Sequence, residues 1–346
     1  MQVKIQENVS LANYSTMRLG GLARYLTEIK NTQELQQAYS WAQSQGLPVI
    51  MIGRGSNIIW HDEGFNGLIM VNKIMGRGLI SEDNHQATVK FWAGENWDKS
   101  VDWAVGKKLT GIEYMSLIPG TVGAAPVQNV GAYGGELAYT LLELEAFDTK
   151  FNAFVKLQNH ECVFSYRSSR FKTTDRGRFF ITSITLNLRK SNPVPPFYDS
   201  LQGYLDEHGV DKYTPKKIRE AVVDIRRNKL PDPEKVANNG SFFTNPIIDI
   251  AAFSRLRDSY PDIVGWPIKD GHMKVAAGWL VDKAGFKGVR DEQTGMATWP
   301  AQALVLVNEH ARHTSDLLAF KQKIVDRVQQ MFGITLEQEP ELLPIA

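Results

Sequence analysis

Two glycine-rich segments of this sequence carry residue types that can hold a phosphorylated ligand. The first, residues 53–57 (GRGSN), follows the apolar run 47–52. A turn of this kind brings backbone N–H groups and a hydroxyl against a pyrophosphate. It is not the three-glycine dinucleotide fingerprint, because the third glycine would fall at Ile58. A plain tight turn therefore stays the alternative for this segment taken alone.

The second segment, residues 118–134 (IPGTVGAAPVQNVGAYG), gives the stronger signal. Five of the sixteen residues 120–135 are glycine. Residues without bulky side chains let a backbone lie close to a large flat or phosphorylated ligand, and glycine supplies the dihedral angles that such a wrap requires. A loop packed tightly against another element would have the same composition. Two such segments in one chain favour a dinucleotide-like cofactor.

Three other sequence patterns give weaker signals. Ser169-x-x-Lys172 matches the serine-lysine element of penicillin-recognising enzymes, but neither Ser-Asp-Asn nor Lys-Thr-Gly follows it. His310-x-x-His313 could face one side of a helix, but no acidic or thiolate partner stands at a metal-ligand spacing, so we expect no metal site. The basic stretch 216–229 also contains acidic residues and predicts an ordinary charged helix face.

The elements that position these segments are read from hydrophobic periodicity and from helix stop signals. Predicted strands cover residues 47–52, 67–71, 87–93, 180–188 and 303–307. Five helices are predicted. The first begins at Thr32 and ends before Gly46, and the others cover residues 97–109, 215–228, 275–284 and 316–332. The segment 192–196 (NPVPP) interrupts regular structure and predicts a linker or excursion.

Composition narrows the class of protein. The 346 residues include 39 Lys+Arg and 38 Asp+Glu, a net charge of +1, which argues against a nucleic-acid or polybasic membrane protein. At roughly 150 residues per domain the length suggests about two domains, with three small ones as the alternative. The single cysteine, Cys162, indicates a reducing cytoplasm. With no signal-like start and no run of eighteen apolar residues, we expect a soluble, unprocessed protein away from the membrane.

Six ordered motifs carry a family resemblance that covers nearly the whole chain. They are residues 53–57, 118–133, 166–172 (YRSSRFK), 229–233 (KLPDP), 239–246 (NGSFFTNP) and 276–282 (AAGWLVD). Together they resemble the UDP-N-acetylenolpyruvoylglucosamine reductases, the MurB flavoenzymes of bacterial peptidoglycan synthesis. The resemblance implies an α+β protein in which a vanillyl-alcohol-oxidase (PCMH-like) fold holds noncovalent FAD, with a separate α/β substrate-binding domain.

The same resemblance implies the reaction and the cofactor contacts. NADPH reduces the flavin, and the reduced flavin passes hydride to UDP-N-acetylglucosamine enolpyruvate, giving UDP-N-acetylmuramate. Contact with FAD is implied for both glycine-rich segments, which agrees with the interpretation from residue type. The residues concerned are Gly53, Arg54, Gly55, Ser56, Asn57, Ser116, Ile118, Pro119, Gly120, Thr121, Gly123, Ala124, Ala125, Gln128, Asn129, Gly131, Ala132 and Tyr133.

Reduction of the enolpyruvyl group requires an acid that donates a proton and a cation that stabilises negative charge. Hydride addition to the terminal alkene carbon builds negative charge on the carbon next to the carboxylate, so the site must stabilise an enolate and then protonate it. By resemblance Ser241 is the proton donor, Arg167 binds the carboxylate and Glu339 is the catalytic glutamate. Glu337 and Glu341 stay open as alternatives to Glu339. The two phenylalanines after Ser241 are expected to exclude water.

Recognition of the nucleotide sugar is assigned by the same resemblance. Cationic side chains suit a diphosphate, while amides and a phenol suit the polar edges of sugar and uracil. The residues concerned are Tyr166, Tyr198, Arg226, Lys229, Asn245 and Gln302. Tyr198 also implies the class in which a mobile tyrosine loop closes over substrate.

The resemblance predicts three regions and leaves two rival functions. Residues 1–73 and 74–225 are expected to form two FAD-binding subdomains, with the tail 333–346 returning to the active site, and residues 226–332 a substrate-binding domain. We expect a monomer in the bacterial cytoplasm. A flavin oxidase on the same fold and a nucleotide-sugar binding module without catalysis are the alternatives, and only the ordered motifs discriminate among the three.

Overall fold

The structure is a computed structural model that describes residues 3–345 of the chain. The chain divides into two units and passes between them several times. The first unit comprises the chain up to Val9, Ala23–Arg54 and Asn66–Asn228. The second comprises Ser10–Leu22, Gly55–Phe65 and the chain from Lys229 onward. Each unit therefore contains segments that are distant in sequence.

Residues 3–345 contain twenty strands and seven α-helices. The strands are β1 (Gln6–Ser10), β2 (Leu22–Ile29), β3 (Val49–Ile52), β4 (Ile58–Trp60), β5 (Phe65–Asn72), β6 (Arg77–Glu82), β7 (Gln86–Trp92), β8 (Gly131–Ala132), β9 (Gly135–Glu136), β10 (Leu141–Asp148), β11 (Ala153–Gln158), β12 (Phe179–Arg189), β13 (Ala237–Ser241), β14 (Ile247–Asp249), β15 (Gly265–Ile268), β16 (His272–Val275), β17 (Arg290–Asp291), β18 (Met296–Trp299), β19 (Gln302–Asn308) and β20 (Glu341–Leu343). The helices are α1 (Thr32–Ser44), α2 (Trp97–Gly106), α3 (Asp199–Glu207), α4 (Pro215–Lys229), α5 (Ile250–Ser259), α6 (Ala277–Lys283) and α7 (Thr314–Phe332). None of the helices in this range is both long and apolar enough to cross a bilayer.

The first sheet of the first unit has the order β1-β2-β5-β3, and β3 runs parallel to β5. Helix α1 covers it because Leu35, Ala38 and Ala42 recur on one face and pack into the sheet core. Asn31 caps this helix, since its side-chain oxygen accepts a hydrogen bond from the Glu34 amide at 2.8 Å. Strand β3 leads directly into the glycine turn at residues 53–57.

The second sheet of the first unit is antiparallel and has the order β11-β10-β12-β7-β6. Its central strand, β12, is buried on both faces. Ile184 and Leu186 pack with α2 in one core, and Phe180 packs in the core beneath α1. This sheet supports the segment 116–134, which lies beside α2.

Residues 190–229 form an excursion from that sheet. Residues 190–198 lie outside helices and strands, as the NPVPP segment predicts. Helices α3 and α4 then share a small core of their own, in which Phe197, Leu201 and Ile218 are buried. Tyr114 and Tyr133 pack against the same core, so the excursion rests on the rest of the first unit.

The second unit has three sheets. Strands β13-β19-β18-β17 and β14-β16-β15 form two antiparallel sheets, and β20 pairs with β4 in parallel, with Glu341 opposite Ile58. Helices α6 and α7 bury Leu280, Phe320 and Ile324 in the core of this unit.

The predicted strands and helices are confirmed as β3, β5, β7, β12, β19, α1, α2, α4, α6 and α7. Helix α2 ends at Gly106 rather than at residue 109, because Lys108 adopts the left-handed conformation with φ 59°. Helix α3 and strand β4 were not predicted. The two larger sheets of the first unit lie within residues 6–72 and 77–189, and β8 pairs with β9 in a third, two-stranded sheet. The predicted division at residues 73, 225 and 332 stays a prediction.

Candidate active site

The turn at residues 53–57 connects β3 to β4, and it crosses the division between the units after Arg54. Gly55 has φ 73°, and a Cβ at this position would lie 2.0 Å from the Tyr14 carbonyl oxygen. The Gly55 carbonyl accepts a hydrogen bond from the Thr16 amide at 3.0 Å. Only glycine fits this position, because both the backbone angle and the lack of space exclude a side chain.

Gly53 faces Thr121 within the first unit. A Cβ at Gly53 would lie 2.2 Å from Thr121 Oγ1, so the backbone and the hydroxyl are in close contact. Thr121 is buried, and its Oγ1 has no hydrogen-bond partner within the described chain. A buried hydroxyl without a partner costs free energy unless a ligand satisfies it. The pair therefore fits a polar group of a bound cofactor.

The segment 116–134, which we call the wrap, has an unusual density of left-handed residues. Positive φ occurs at Leu117 (58°), Gly120 (121°), Asn129 (47°) and Tyr133 (49°). Strained backbone of this kind persists where the surroundings enforce it and concentrates at ligand sites. Asn129 enforces it here: its amide nitrogen donates to Glu136 Oε2 at 2.8 Å, and its oxygen accepts from the backbone.

Arg167 lies against the wrap. Its Nη2 donates to the Gly131 carbonyl oxygen at 2.8 Å, and its guanidinium lies 5.2 Å from the centre of the Tyr166 ring. The buried Ser169 hydroxyl donates to the Val127 carbonyl oxygen at 2.6 Å. Ser169 therefore fastens the arginine loop to the wrap, which agrees with setting aside a nucleophilic role for it.

A second cation, Arg226, stands near Arg167 in the first unit. Burial lowers the pKa of the Arg226 guanidinium and the charge of Arg167 lowers it further, while the Tyr133 phenol raises it. Arg226 Nε is buried without a hydrogen-bond partner in residues 3–345. The Tyr133 and Tyr198 rings meet edge to face at 6.1 Å, and burial raises the pKa of both phenols. This unit thus brings two arginines and two tyrosines to the wrap, which suits an anionic ligand.

Ser241 ends β13 in the second unit. The register shifts between Asn238 and Ser241, and Gly240 between them has φ 73°. This irregularity turns the end of the strand, while Phe242 and Phe243 behind the serine are fully buried. Ser241 itself is partly buried. Both aromatic rings belong to the hydrophobic core of the second unit, and their expected role in excluding water from the site stays a prediction.

The C-terminal segment lies beside Ser241. The Glu339 amide donates to the Phe242 carbonyl oxygen at 2.9 Å, and the Glu341 amide donates to the Asn57 carbonyl oxygen at 2.9 Å. Glu339 is partly buried, whereas Glu337 is exposed. The second unit therefore brings the backbone of Glu339 next to the serine strand and to the end of the glycine turn.

Two amides meet at the first turn of α6. Asn245 Oδ1 accepts from the Ala277 amide at 3.0 Å. Gln302 Oε1 accepts from the Leu304 amide at 3.3 Å, and it would lie 3.1 Å from a Cβ at Gly278. The oxygen of each amide is thus occupied within the fold. Lys229, at the end of α4, is exposed.

Asp98 was not predicted as a site residue, and the prediction for Arg219 was wrong. The stretch 216–229 was predicted to be an ordinary charged face, but the Arg219 side chain is 15% exposed and pairs with Asp98 at 2.6 Å. The sequence signal for a role of Arg219 was its seven-residue spacing from Arg226, which places both side chains on one face of the helix.

His310 and His313 precede α7 rather than lying on a helix. No cluster of three metal-ligating side chains occurs within residues 3–345.

Family models match both parts of the chain. The model for the C-terminal domain of UDP-N-acetylenolpyruvoylglucosamine reductase matches residues 232–343, and the model for an FAD binding domain matches residues 23–150. The UDP-N-acetylenolpyruvoylglucosamine reductase of Pseudomonas aeruginosa is 38% identical over 342 residues, which are 99% of this chain and 100% of that protein. The enzyme of the same name from Pseudomonas putida is 39% identical with the same coverage.

A solved structure has the same fold. The crystal structure of UDP-N-acetylenolpyruvylglucosamine reductase (MurB) from Thermus caldophilus has a TM-score of 0.67 and 23% identity, and the likeness covers 99% of this chain and 100% of that chain. With the FAD-binding-domain match, it confirms the predicted α+β fold of the vanillyl-alcohol-oxidase type.

Proposed function

Because the chain belongs to the UDP-N-acetylenolpyruvoylglucosamine reductase family along its whole length, we propose a role for each of its candidate site residues. The protein is a flavin oxidoreductase that reduces UDP-N-acetylglucosamine enolpyruvate to UDP-N-acetylmuramate in peptidoglycan precursor synthesis. Its cofactor is FAD and its reductant is NADPH. When bound, FAD supplies the hydride chemistry that connects NADPH with the enolpyruvyl double bond.

The glycine turn and the wrap hold FAD in this proposal. The observation that carries it is the pairing of Gly53 with the unpartnered Thr121 hydroxyl. The cofactor would supply the missing polar partner of that hydroxyl. The strained backbone of the wrap is held by bonds from Asn129 and Arg167, so it is in place before a ligand arrives. Such preorganisation favours binding because little ordering remains to be done.

The catalytic roles follow from the charge that develops in the reaction. Arg167 forms paired hydrogen bonds with the substrate carboxylate and offsets the enolate charge. Ser241 delivers its hydroxyl proton to the carbon next to that carboxylate. A serine is a weak acid, so the alkoxide needs help, and Glu339, whose backbone bonds to the residue after Ser241, organises or reprotonates it. Glu337 and Glu341 are the alternatives that a substitution series separates.

Substrate recognition is proposed for six side chains. Arg226 and Lys229 contribute positive charge toward the diphosphate. Asn245 and Gln302 have their oxygens engaged within the fold, so each presents its NH₂ group to acceptor oxygens of the nucleotide sugar. Tyr166 and Tyr198 add a phenol and an aromatic face. Tyr198, half-exposed at the start of α3, belongs to a loop that closes over substrate.

The organisation of the protein is part of the same proposal. Residues 1–73 and 74–225 act as FAD-binding subdomains, and the C-terminal tail contributes Glu339 to catalysis. Residues 226–332 act as the substrate-binding domain. We place the enzyme in the bacterial cytoplasm as a monomer, which agrees with the buried free thiol of Cys162.

The test is an anaerobic visible spectrum of the purified protein. It is recorded as isolated, after addition of NADPH, and after addition of the enolpyruvyl substrate. We expect a flavin band that bleaches with NADPH and returns with substrate. Bleaching that only oxygen reverses would favour a flavin oxidase. Absence of the band even after added FAD would favour a nucleotide-sugar binding module.

A further inference from the structure

Asp98 joins two segments of the first unit that have different proposed ligands. It is the second residue of α2, after the capping residue Asn96. Asp98 Oδ1 accepts hydrogen bonds from the Leu117 amide and from Arg219 Nη1, both at 2.6 Å, and Oδ2 accepts from Arg219 Nη2 at 3.1 Å. The exposed fractions of the two side chains are 24% for Asp98 and 15% for Arg219. The carboxylate is thus a largely buried junction.

On the flavin side, Asp98 acts on the entry to the wrap. Leu117 has φ 58°, a left-handed conformation that is unfavourable for a leucine. Trp97 fixes the same region, because its amide donates to the Gly120 carbonyl oxygen at 3.2 Å and its indole donates to the Met115 carbonyl oxygen at 3.0 Å. The first turn of α2 therefore holds the strained backbone where the wrap begins.

On the substrate side, Asp98 acts on helix α4. Arg219 precedes Arg226 by seven residues, which is about two helical turns, so both side chains leave the same face of α4. The charge of Asp98 also raises the pKa of Arg226. A bidentate pair at Arg219 fixes the rotation of the helix and hence the position of Arg226.

Asp98 stays charged at neutral pH. Burial by itself would raise its pKa, but the Arg219 guanidinium and the Leu117 amide hold the pKa of this carboxyl below its usual range. A buried carboxylate with two kinds of donor favours a single arrangement of the segments that supply them.

We propose that Asp98 is a positioning residue of the reductase, which joins Arg219 of α4 to the Leu117 amide and thereby fixes Arg226 relative to the flavin wrap. The inference rests on the proposed function, because it takes the wrap as the flavin site and Arg226 as a substrate residue. It adds a residue that acts through Leu117 and Arg219.

The experiment compares Asp98→Asn and Arg219→Met with Asp102→Asn in the FAD-loaded enzyme. Asp102 is the matched control, since it accepts from Arg219 Nε at 3.0 Å but its side chain is 69% exposed. For Asp98→Asn and Arg219→Met we expect the KM for the enolpyruvyl substrate to rise at least about tenfold. For Arg219→Met, the rate of flavin reduction by NADPH should stay within about twofold, because the Asp98 carboxylate still accepts from the Leu117 amide. Asp102→Asn should stay within about twofold in both.

The double variant Asp98→Asn/Arg219→Met separates positioning from general weakening. If the two residues act as one clamp, its KM equals that of the worse single variant rather than the product of the two effects. If Asp98→Asn does not fold, Arg219→Lys makes the same test, since lysine keeps the charge but loses the bidentate geometry.

Three results would overturn the inference. One is an unchanged KM with only a lower melting temperature or flavin content, which would make Asp98 merely structural. Another is an equal rise of KM in Asp102→Asn. The third is a KM in the double variant that rises by the product of the two single effects. The wild-type enzyme is measured in parallel, so a failure of its flavin cycle would contradict the proposed function instead.

Discussion

Replacement of Gly53 by alanine is expected to weaken FAD binding through one steric contact. Gly53 has no positive φ, so its backbone accepts an alanine, and only the space beside it decides the outcome. An added Cβ would lie 2.2 Å from Thr121 Oγ1, whereas ordinary van der Waals contact begins at 3.4 Å. The two groups must therefore separate by 3.4 − 2.2, or about 1.2 Å.

The magnitude follows from that displacement. Overpacking a well-packed site costs about 1–3 kcal/mol. Threonine is restricted at χ1, so rotation of its hydroxyl is a poor escape and also removes the hydroxyl from the ligand. Because FAD binding must return the displaced hydroxyl to the ligand, the same free energy opposes binding, and at 1.4 kcal/mol for each factor of ten we expect the FAD dissociation constant to rise about fivefold to 150-fold.

The assay titrates apoprotein with FAD, following flavin fluorescence and the melting temperature of the apoprotein. Gly78→Ala is the matched control, because no atom lies within 4 Å of a Cβ there, and it should leave the FAD affinity unchanged. In the double variant Gly53→Ala/Thr121→Ala, the side-chain atom nearest to the added Cβ is the Cβ of residue 121, at 3.3 Å. The melting temperature of this apoprotein should therefore return to that of Thr121→Ala. Wild-type FAD affinity in Gly53→Ala, or no recovery in the double variant, would refute the steric reasoning.

Three further outcomes are expected. Ser241→Ala should leave flavin reduction by NADPH within about twofold but slow flavin reoxidation by substrate about 100-fold or more, as stopped-flow absorbance would show; equal losses in both half-reactions would contradict the proton-donor role. Tyr198→Ala removes a half-exposed ring that packs on Tyr133, and should raise the substrate KM about tenfold with an unchanged NADPH half-reaction. Asp148→Asn should lower the urea midpoint at pH 7, because the buried carboxylate accepts from Arg178 at 2.7 Å. The hydrogen bond from Arg178 lowers the pKa of Asp148, so this stabilisation is present above the unfolded pKa of about 4 and is lost as pH falls through the folded value. The difference in midpoint between wild type and variant should therefore shrink in acid, and a constant difference would contradict the assignment.

Local sequence signals predicted the elements whose causes are local. Helix α1 was predicted because its apolar stripe and its stop at Gly46 lie within one window, and the alternation in β12 identified that strand. Helix α3 was missed because NPVPP obscured its start, and its buried face, Leu201 and Leu205, gains partners only from α4. Strand β4 is only three residues long and pairs with β20 far along the chain.

The candidate site shows the same difference between features with local causes and features that depend on distant residues. The glycine turn and the wrap were identifiable because glycines and small residues report a constraint at their own positions. The pairing of Asp98 with Arg219 joins residues 121 positions apart, and no local pattern encodes it. Charge runs predict solvent exposure only when the fold provides no partner, and here α2 provides one.

The parallel pair of β4 and β20 affects how the flavin turn forms during folding. Asn57 and Glu339 are separated by 282 positions, and the Glu341 amide bonds to the Asn57 carbonyl oxygen. Contacts of such sequence separation form late, because the closure of a long loop must precede them. The second half of the turn therefore gains its backing strand only when the C-terminal segment has docked.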